Sequence, residues 1–194
     1  MEWRPYVEKS KKKYSRELAL RVANEILEAL TPATELIIIA GSIRRRKAFV
    51  GDIEIVFVPI LAEEPDGLFD KHQFSRADRI LDQLIKTGVI EKRKNILGSE
   101  IWGPKNKLGR HCKTGIPIDF FATRTPCWWN YVCYRTGGSR NNTLIAEAYQ
   151  RRRSKWNPYG IGFTNERGEE IQNPSEAAVY LNAGLRYLKP FERP

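Results

Sequence analysis

Apolar residues recur at helical spacing in two stretches of the sequence. Residues 15–30 carry an apolar residue every three or four positions, and Ser15 precedes them as a suitable N-cap. Residues 75–87 repeat the pattern, and Gly88 follows them as a residue suited to ending a helix. Each stretch therefore predicts an amphipathic helix. The side chains expected to face a core are Leu20, Val22, Ala23, Ile26, Leu27, Leu30, Ile80, Leu81, Leu84 and Ile85.

Three short apolar segments have the composition of buried strands. Residues 35–40, 53–58 and 116–121 are rich in β-branched and aromatic side chains and are too short for ordinary helices. Residues 89–111 predict a further pair of strands, with a turn near Gly103-Pro104. These segments together predict one sheet beside the two helices.

The remaining segments are more polar. Residues 60–73 predict a loop with a turn at Pro65-Asp66-Gly67, and residues 140–153 predict a helix. The C-terminal part predicts short strands and turns with one helix around residues 175–181. We find no internal repeat, and a second lobe is expected to begin near residue 130. This mixture of helices and strands predicts an α+β fold.

The composition indicates a folded, basic protein. Of its 194 residues 41% are hydrophobic, which is enough to bury a core, and the formal net charge is +10. A generally basic surface has the same composition, but the basic residues here are clustered between apolar segments, which favours a polyanionic partner such as nucleic acid. The clusters are residues 11–13, 44–47, 92–94 and 151–153.

A membrane partner and a disulfide framework are not expected. The sequence has no run of about 18 apolar residues that could span a bilayer. The first five residues, Met1-Glu2-Trp3-Arg4-Pro5, lack the apolar region of a signal peptide. The cysteines are odd in number and show no CxxC spacing, which argues against a structural zinc site as well. We therefore expect an intracellular protein.

Two acidic residues in the second predicted strand suggest chemistry. Because successive side chains of a strand point to opposite faces, Asp52 and Glu54 are expected on one face. Two carboxylates side by side repel each other, and a shared divalent cation removes that penalty. Oxygen-only ligands suit Mg²⁺ or Mn²⁺. The alternative for this pair alone is the ordinary alternation of a half-exposed strand.

The residues just upstream suit a triphosphate. Gly41 allows a ligand to approach the backbone closely, Ser42 offers a hydroxyl group, and Arg45 offers a forked cation. A strand, this turn and a strand with paired acids would place a metal and a triphosphate in one pocket.

The spacing of these residues resembles the signature of the polymerase-beta-type nucleotidyltransferases, and within them the family X DNA polymerases. Gly41-Ser42-x-Arg44-Arg45 is followed by Asp52-x-Glu54, and Ile118-Asp119-Phe120 resembles the strand that carries the family's third carboxylate. The likeness covers roughly residues 13–194. The later matching segments are Tyr134-Arg135-Thr136-Gly137-Gly138, Asn142, Asn157-Pro158-Tyr159 and residues 181–190.

The resemblance implies a two-part architecture. Residues 1–128 would form a nucleotidyltransferase palm, a mixed sheet with helices on one face, and residues 129–194 a small C-terminal thumb. Because the sequence begins close to the first predicted helix, we expect this minimal form to lack the N-terminal lyase domain of larger relatives. We also expect a monomer.

The resemblance further implies a DNA-directed DNA polymerase that adds dNTPs to a primer 3′-hydroxyl and fills short gaps in DNA repair. Asp52, Glu54 and Asp119 would hold two Mg²⁺ or Mn²⁺ ions, and Asp119 would accept or orient the hydroxyl proton. Residues implied to contact the nucleotide are Gly41, Ser42, Arg45, Gly51, Tyr134, Thr136, Gly137 and Asn142.

The grip on gapped or primer–template DNA is expected from basic residues of the C-terminal part. Arg151, Arg152, Arg153 and Lys155 would contact phosphates, with Trp156 as a stacking surface. The alternative is a solvated helix end with Trp156 in the core. The aromatic residues 128, 129 and 131 are more typical of packing than of a base platform.

The sequence also departs from the family pattern. Glu54 replaces the usual Asp, Arg135 replaces a common aromatic residue, Ala146 replaces a common Arg that contacts the template, and Pro117 replaces a common Arg. Two alternatives stay open: a template-independent nucleotidyltransferase that acts on RNA, a protein or a small molecule, and a non-catalytic DNA-binding protein.

Overall fold

The computed structural model describes residues 12–66 and 70–194. The N-terminal pentapeptide, Lys11 and Gly67, which entered the expectations above, lie outside the described residues. The helices are α1 (Arg16–Leu30), α2 (Gly41–Arg44), α3 (Arg76–Lys86), α4 (Trp128–Thr136), α5 (Ser139–Arg151) and α6 (Glu176–Asn182). The strands are β1 (Tyr14–Ser15), β2 (Thr34–Ile39), β3 (Phe49–Val50), β4 (Ile53–Pro59), β5 (Leu61–Asp66), β6 (Asp70–Ser75), β7 (Ile90–Lys92), β8 (Asn106–His111), β9 (Pro117–Ala122), β10 (Lys155–Trp156), β11 (Gly162–Thr164) and β12 (Glu170–Gln172).

Serine side chains begin the two helices that the apolar spacing predicts. Ser15 Oγ accepts a hydrogen bond of 3.3 Å from the Leu18 N–H at the start of α1, and Ser75 Oγ accepts one of 3.1 Å from the Asp78 N–H at the start of α3. Such caps satisfy backbone donors that have no partner inside the helix. Both predicted helices are confirmed.

The central sheet has five strands in the order β2-β4-β9-β8-β7. Only β4 and β9 run parallel, and the other neighbours are antiparallel, so the sheet is mixed. The predicted pair within residues 89–111 is β7 with β8. The expected α+β class with a mixed sheet is confirmed.

Strand β4 is buried on both faces. Ile53, Ile55 and Phe57 belong to the core that includes α1 and α3. Val56 and Val58 face a second core that α4 covers. Fully burying such a side chain stabilises the fold by about 1.5–3 kcal/mol. The covered second face explains why residues 55–58 are continuously apolar.

A separate core lies within the predicted C-terminal lobe (residues 129–194), around Ile145, Tyr149 and Tyr180. The expectation that Trp156 forms an exposed stacking surface is wrong. This side chain is buried in that core, and its Nε1–H donates a hydrogen bond of 3.1 Å to Asn130 Oδ1. The division between residues 128 and 129 stays a prediction.

The predicted loop at residues 60–73 is wrong, because β5 and β6 pair there as an antiparallel ribbon. The ribbon packs little apolar surface into a core, so its sequence lacks the apolar alternation that indicates a strand.

Helix α4 was not predicted, because its aromatic and β-branched residues have modest helix propensity. Its packing on β4 overrides that preference. Within the described part of the chain, no helix is long and apolar enough to cross a membrane.

Candidate functional site

Glu54 and Asp119 are direct register partners on the parallel strands β4 and β9. Neighbouring strands lie about 4.8 Å apart, and partners in register point to the same face. Asp52 lies two residues before Glu54, just ahead of β4, and its negative charge acts on both other carboxylates. The fold thus brings Asp119 next to Asp52 and Glu54, which lie far from it in the sequence.

Burial is the main influence on the two carboxylates of the strands. It raises the pKa of Glu54 from 4.5 to about 7, and the negative charge of Asp52 acts in the same direction. Burial also raises the pKa of Asp119, although the positive charge of Arg93 opposes this. Carboxylates with raised pKa values carry negative charge that their surroundings do not fully neutralise. They are suited to binding a cation or a proton.

Arginine side chains provide part of the missing positive charge. Arg93 donates from Nη2 to Asp119 Oδ1, and both side chains are about four-fifths shielded from solvent. The charges of Arg45 and Arg135 also act on Glu54. In the arrangement described for residues 12–66 and 70–194, no three His, Cys, Asp or Glu side chains form a group that could hold a metal ion. The three carboxylates fit a divalent cation in their chemistry, and such a cation would compete with Arg93 for Asp119.

Gly41 is required by its backbone and by its neighbour. Its φ is +59°, and a Cβ atom at this position would lie 1.9 Å from Glu54 Oε2. A backbone hydrogen bond keeps the two residues close, because the Ala40 N–H donates to the Glu54 carbonyl oxygen at 2.8 Å. Any side chain at residue 41 would therefore displace the Glu54 carboxylate.

Two polar atoms next to this glycine are buried without a partner. Ser42 Oγ and Arg45 Nε have no hydrogen-bond partner among the described residues. A buried unpaired polar group costs about 1–3 kcal/mol. Both are donors that phosphate oxygens would satisfy, so the fit of this turn to an anion is chemical as well as electrostatic.

The start of the C-terminal lobe reaches the same turn. Arg45 Nη1 donates a 2.6 Å hydrogen bond to the Thr136 carbonyl oxygen. Asn142 Nδ2 donates one of 2.9 Å to the Tyr134 carbonyl oxygen, and a Cβ atom on Gly137 would lie 2.3 Å from Asn142 Oδ1. Thr136 thus contacts Arg45, and Asn142 lies against Tyr134 and Gly137 next to it.

Two further predictions concern residues outside the contacts described so far. Gly51 directly precedes Asp52 and has nothing within 4 Å of a Cβ position, so no close approach requires glycine there. Arg151, Arg152, Arg153 and Lys155 are exposed at the end of α5 and beyond it. Arg152 lines a surface cleft with Arg167 and Asn182, all in the C-terminal lobe.

An ion cluster that the sequence did not predict joins α2 to α6 and to the C-terminal residues. Glu176 is buried and accepts hydrogen bonds of 2.6 Å from Arg44 and 2.9 Å from the buried Arg193. Arg44 also donates 2.7 Å to Thr136 Oγ1. No local sequence pattern marks partners so far apart in the chain, and the same is true of Arg93 and Asp119.

No protein-family model matches this chain, and no curated protein matches it. Among solved structures the chain is similar to polymerase beta of Leishmania infantum, determined as a ternary P/T complex. The TM-score is 0.68 with 19% sequence identity, over 94% of this chain and 77% of that one. At this level of identity the likeness shows a polymerase-beta-like fold.

Proposed function

We propose that this chain is a DNA-directed DNA polymerase of the family X type, which adds dNTPs to a primer 3′-hydroxyl and fills short gaps in DNA. The observation that carries the proposal is the register of Glu54 with Asp119 beside Gly41 and Ser42. Acidic ligands for metal ions and donors for phosphate oxygens then lie at one place. The polymerase-beta-like fold supports the same reading.

Asp52, Glu54 and Asp119 would hold two Mg²⁺ or Mn²⁺ ions. When bound, such ions lower the pKa of an attacking hydroxyl and stabilise the negative charge that develops on the α-phosphate. Asp119 would accept the hydroxyl proton, and its raised pKa makes it a better base than an exposed Asp. Arg93 donates to Oδ1 of Asp119 and would compete for this carboxylate in the step.

The turn before β4 would bind the triphosphate. The unpaired Ser42 hydroxyl and Arg45 Nε would donate to its oxygens, and Gly41 leaves room for the Glu54 carboxylate beside them. Tyr134, Thr136, Gly137 and Asn142 would then border the sugar and base. Gly51 would lie at the edge of this site.

DNA is the proposed macromolecular partner. The similar structure was determined as a P/T complex, and the net charge of +10 favours a polyanion. Arg151, Arg152, Arg153 and Lys155 are exposed and free to reach phosphates. A monomeric state, a place in DNA repair and an intracellular location remain predictions.

Primer extension on gapped, recessed and single-stranded DNA tests the proposal. The wild type should extend the gapped primer with Mg²⁺ and dNTPs, and Asp119→Asn should lose at least about a thousandfold in rate because it removes the proposed base and a charged ligand. Asp82→Asn is the matched control, since Asp82 is exposed on α3 across the sheet from the site. Equal extension by wild type and Asp119→Asn would refute the assignment. Extension that ignores the template would favour the template-independent alternative.

One observation favours a non-catalytic DNA-binding protein as the second candidate. Arg93 already neutralises Asp119, and no three described acidic, His or Cys side chains form a metal-holding group in this arrangement. Calorimetry with dATP and Mg²⁺ separates the two functions. A polymerase should bind the nucleotide only in the presence of the metal, whereas a pure DNA-binding protein should bind no nucleotide.

A further inference from the structure

A cleft of about 570 Å³ lies between the central sheet and α4. Pro59 and Ala122, at the C-terminal ends of β4 and β9, form one side, and Tyr131 and Arg135 of α4 form the other. This volume is in the range of small-ligand pockets. None of the residues assigned above to DNA contact lines it.

The cleft is positively charged. Lys105 and Arg124 stand exposed at its rim, and Arg135 is partly buried within it. Its lining, drawn from the described residues, contains no Asp or Glu. Cations gathered in a concave surface without carboxylates attract anions such as phosphodiesters.

Two lining residues offer unused hydrogen-bonding atoms. Arg135 Nε, a donor, and Asn106 Oδ1, an acceptor, are both buried without a partner among the described residues. A ligand that presents both acceptors and donors would satisfy both atoms. Nucleobases have such edges, and simple anions do not.

The mouth of the cleft carries an aromatic surface. The side chain of Tyr159 is 56% exposed, and its ring lies 5.3 Å from the Tyr134 ring and 5.7 Å from the Tyr131 ring. Two neighbours thus hold the ring in place while much of it stays open. Unpaired bases stack on exposed rings of this kind.

The cleft continues from the candidate carboxylates. Phe121 follows Asp119 by two positions in β9 and therefore lies on the same face of the sheet. The Arg135 guanidinium lies 3.5 Å from the centre of the Phe121 ring. Arg135 thus connects the acidic end of this face with the basic cleft.

We propose that this cleft binds an unpaired stretch of the DNA substrate. Lys105 and Arg124 contact its phosphates, Tyr159 stacks on a base, and Arg135 and Asn106 bond to that base or its sugar. The proposal rests on the proposed polymerase function and adds a strand path separate from the basic end of α5.

Binding of a fluorescently labelled short oligo-dT, measured by anisotropy, tests the proposal. The double variant Lys105→Glu/Arg124→Glu should bind at least about tenfold more weakly than wild type and show a smaller salt dependence. The matched control, Lys86→Glu/Lys113→Glu, makes the same charge change at exposed residues outside the cleft and should lose far less. Tyr159→Ala should lose about fivefold or more, and Tyr159→Phe should restore most of it.

Equal losses in the two double variants would overturn the proposal, because the effect would then be one of net charge alone. Competition by dTMP as strong as that by the oligomer would also overturn it, since the cleft would then be a mononucleotide site. The assay needs no catalysis. If the cleft variant loses oligo-dT binding but the wild type extends no primer, the strand path stands and the polymerase function is rejected. If the wild type extends primers but the cleft variant keeps its oligo-dT binding, only the strand path is rejected.

Discussion

Arg93, in the connection between β7 and β8, donates its Nη2 hydrogen bond to Oδ1 of Asp119, the register partner of Glu54. The guanidinium neutralises one of three neighbouring carboxylates in a setting that is largely shielded from water. Charge-assisted hydrogen bonds of this type contribute about 1.5–3 kcal/mol. A metal ion that binds Asp119 competes with the Arg93 guanidinium for this carboxylate.

Arg93→Ala should therefore bind divalent cations more tightly. We expect a gain of about tenfold in Mn²⁺ affinity without nucleotide, since about 1.4 kcal/mol corresponds to a factor of ten. Titration calorimetry measures this directly, and Arg93→Lys, which keeps the charge, should lie close to wild type. Weaker Mn²⁺ binding by Arg93→Ala would show that Arg93 holds Asp119 in its metal-ready position instead.

The raised pKa of Glu54 predicts that the metal-free protein becomes more stable on mild acidification. Because the folded-state pKa is about 7 and the ordinary value is 4.5, the folded protein binds more protons between these values. Stability therefore falls as pH rises through this window, by about 3 kcal/mol in all. Asp119, whose pKa is also raised, acts in the same direction.

Urea unfolding at about pH 5 and about pH 7.5 in the presence of a chelator tests this prediction. Glu54→Gln should remove most of the difference, and saturating Mn²⁺ should flatten it in the wild type. The opposite slope, with greater stability at the higher pH in the wild type, would show that Glu54 is already neutralised by its arginine neighbours.

Gly41→Ala should disturb the site through Glu54. The added Cβ would lie 1.9 Å from Glu54 Oε2, and φ of +59° is strained for alanine, so we expect a loss of about 1–3 kcal/mol in stability together with weaker Mn²⁺ binding. Gly51→Ala is the control for stability, because nothing lies within 4 Å of its Cβ position. Comparable destabilisation of both variants would mean that the contact with Glu54 is relieved easily.

Glu176→Ala should cost about 3–5 kcal/mol of stability, because it leaves the buried Arg193 guanidinium without its carboxylate. Burial alone would raise the pKa of Glu176, but hydrogen bonds and charges from Arg44 and Arg193 hold it below its usual value. Glu64→Ala is the matched control, since the Glu64–Arg79 pair is exposed and should contribute less than about 1 kcal/mol. Urea unfolding of both variants gives the comparison, and similar losses would contradict it.

The sequence predicted the elements whose burial leaves a regular pattern. The 3.6-residue spacing of α1 reflects burial of one face, and the apolar run of β4 reflects burial of both faces, so each pattern alone locates its element. Helix α4 and the β5–β6 ribbon were missed for opposite reasons. Distant packing forces a poor helix former into α4, and the ribbon has little core contact to leave a pattern.

The site was predictable only where its residues are close in sequence. Asp52 and Glu54 follow from strand alternation, and the turn at Gly41 follows from its residue types. Asp119 came from the resemblance to a family, because no local rule says which later strand will pair with β4. Arg93 was noted only as part of the basic cluster 92–94, and nothing in that cluster indicates that it pairs with Asp119.

The parallel pairing of β4 with β9 fixes the number of residues in some segments of the chain and leaves it free in others. Inserting or deleting one residue between Ile116 and Asp119 would turn the Asp119 carboxylate toward the apolar layer under α1 and α3. A change of length within the β5–β6 ribbon carries no such penalty, because the ribbon lies outside the five-stranded sheet. The ribbon can therefore lengthen or shorten while Glu54 and Asp119 stay in register.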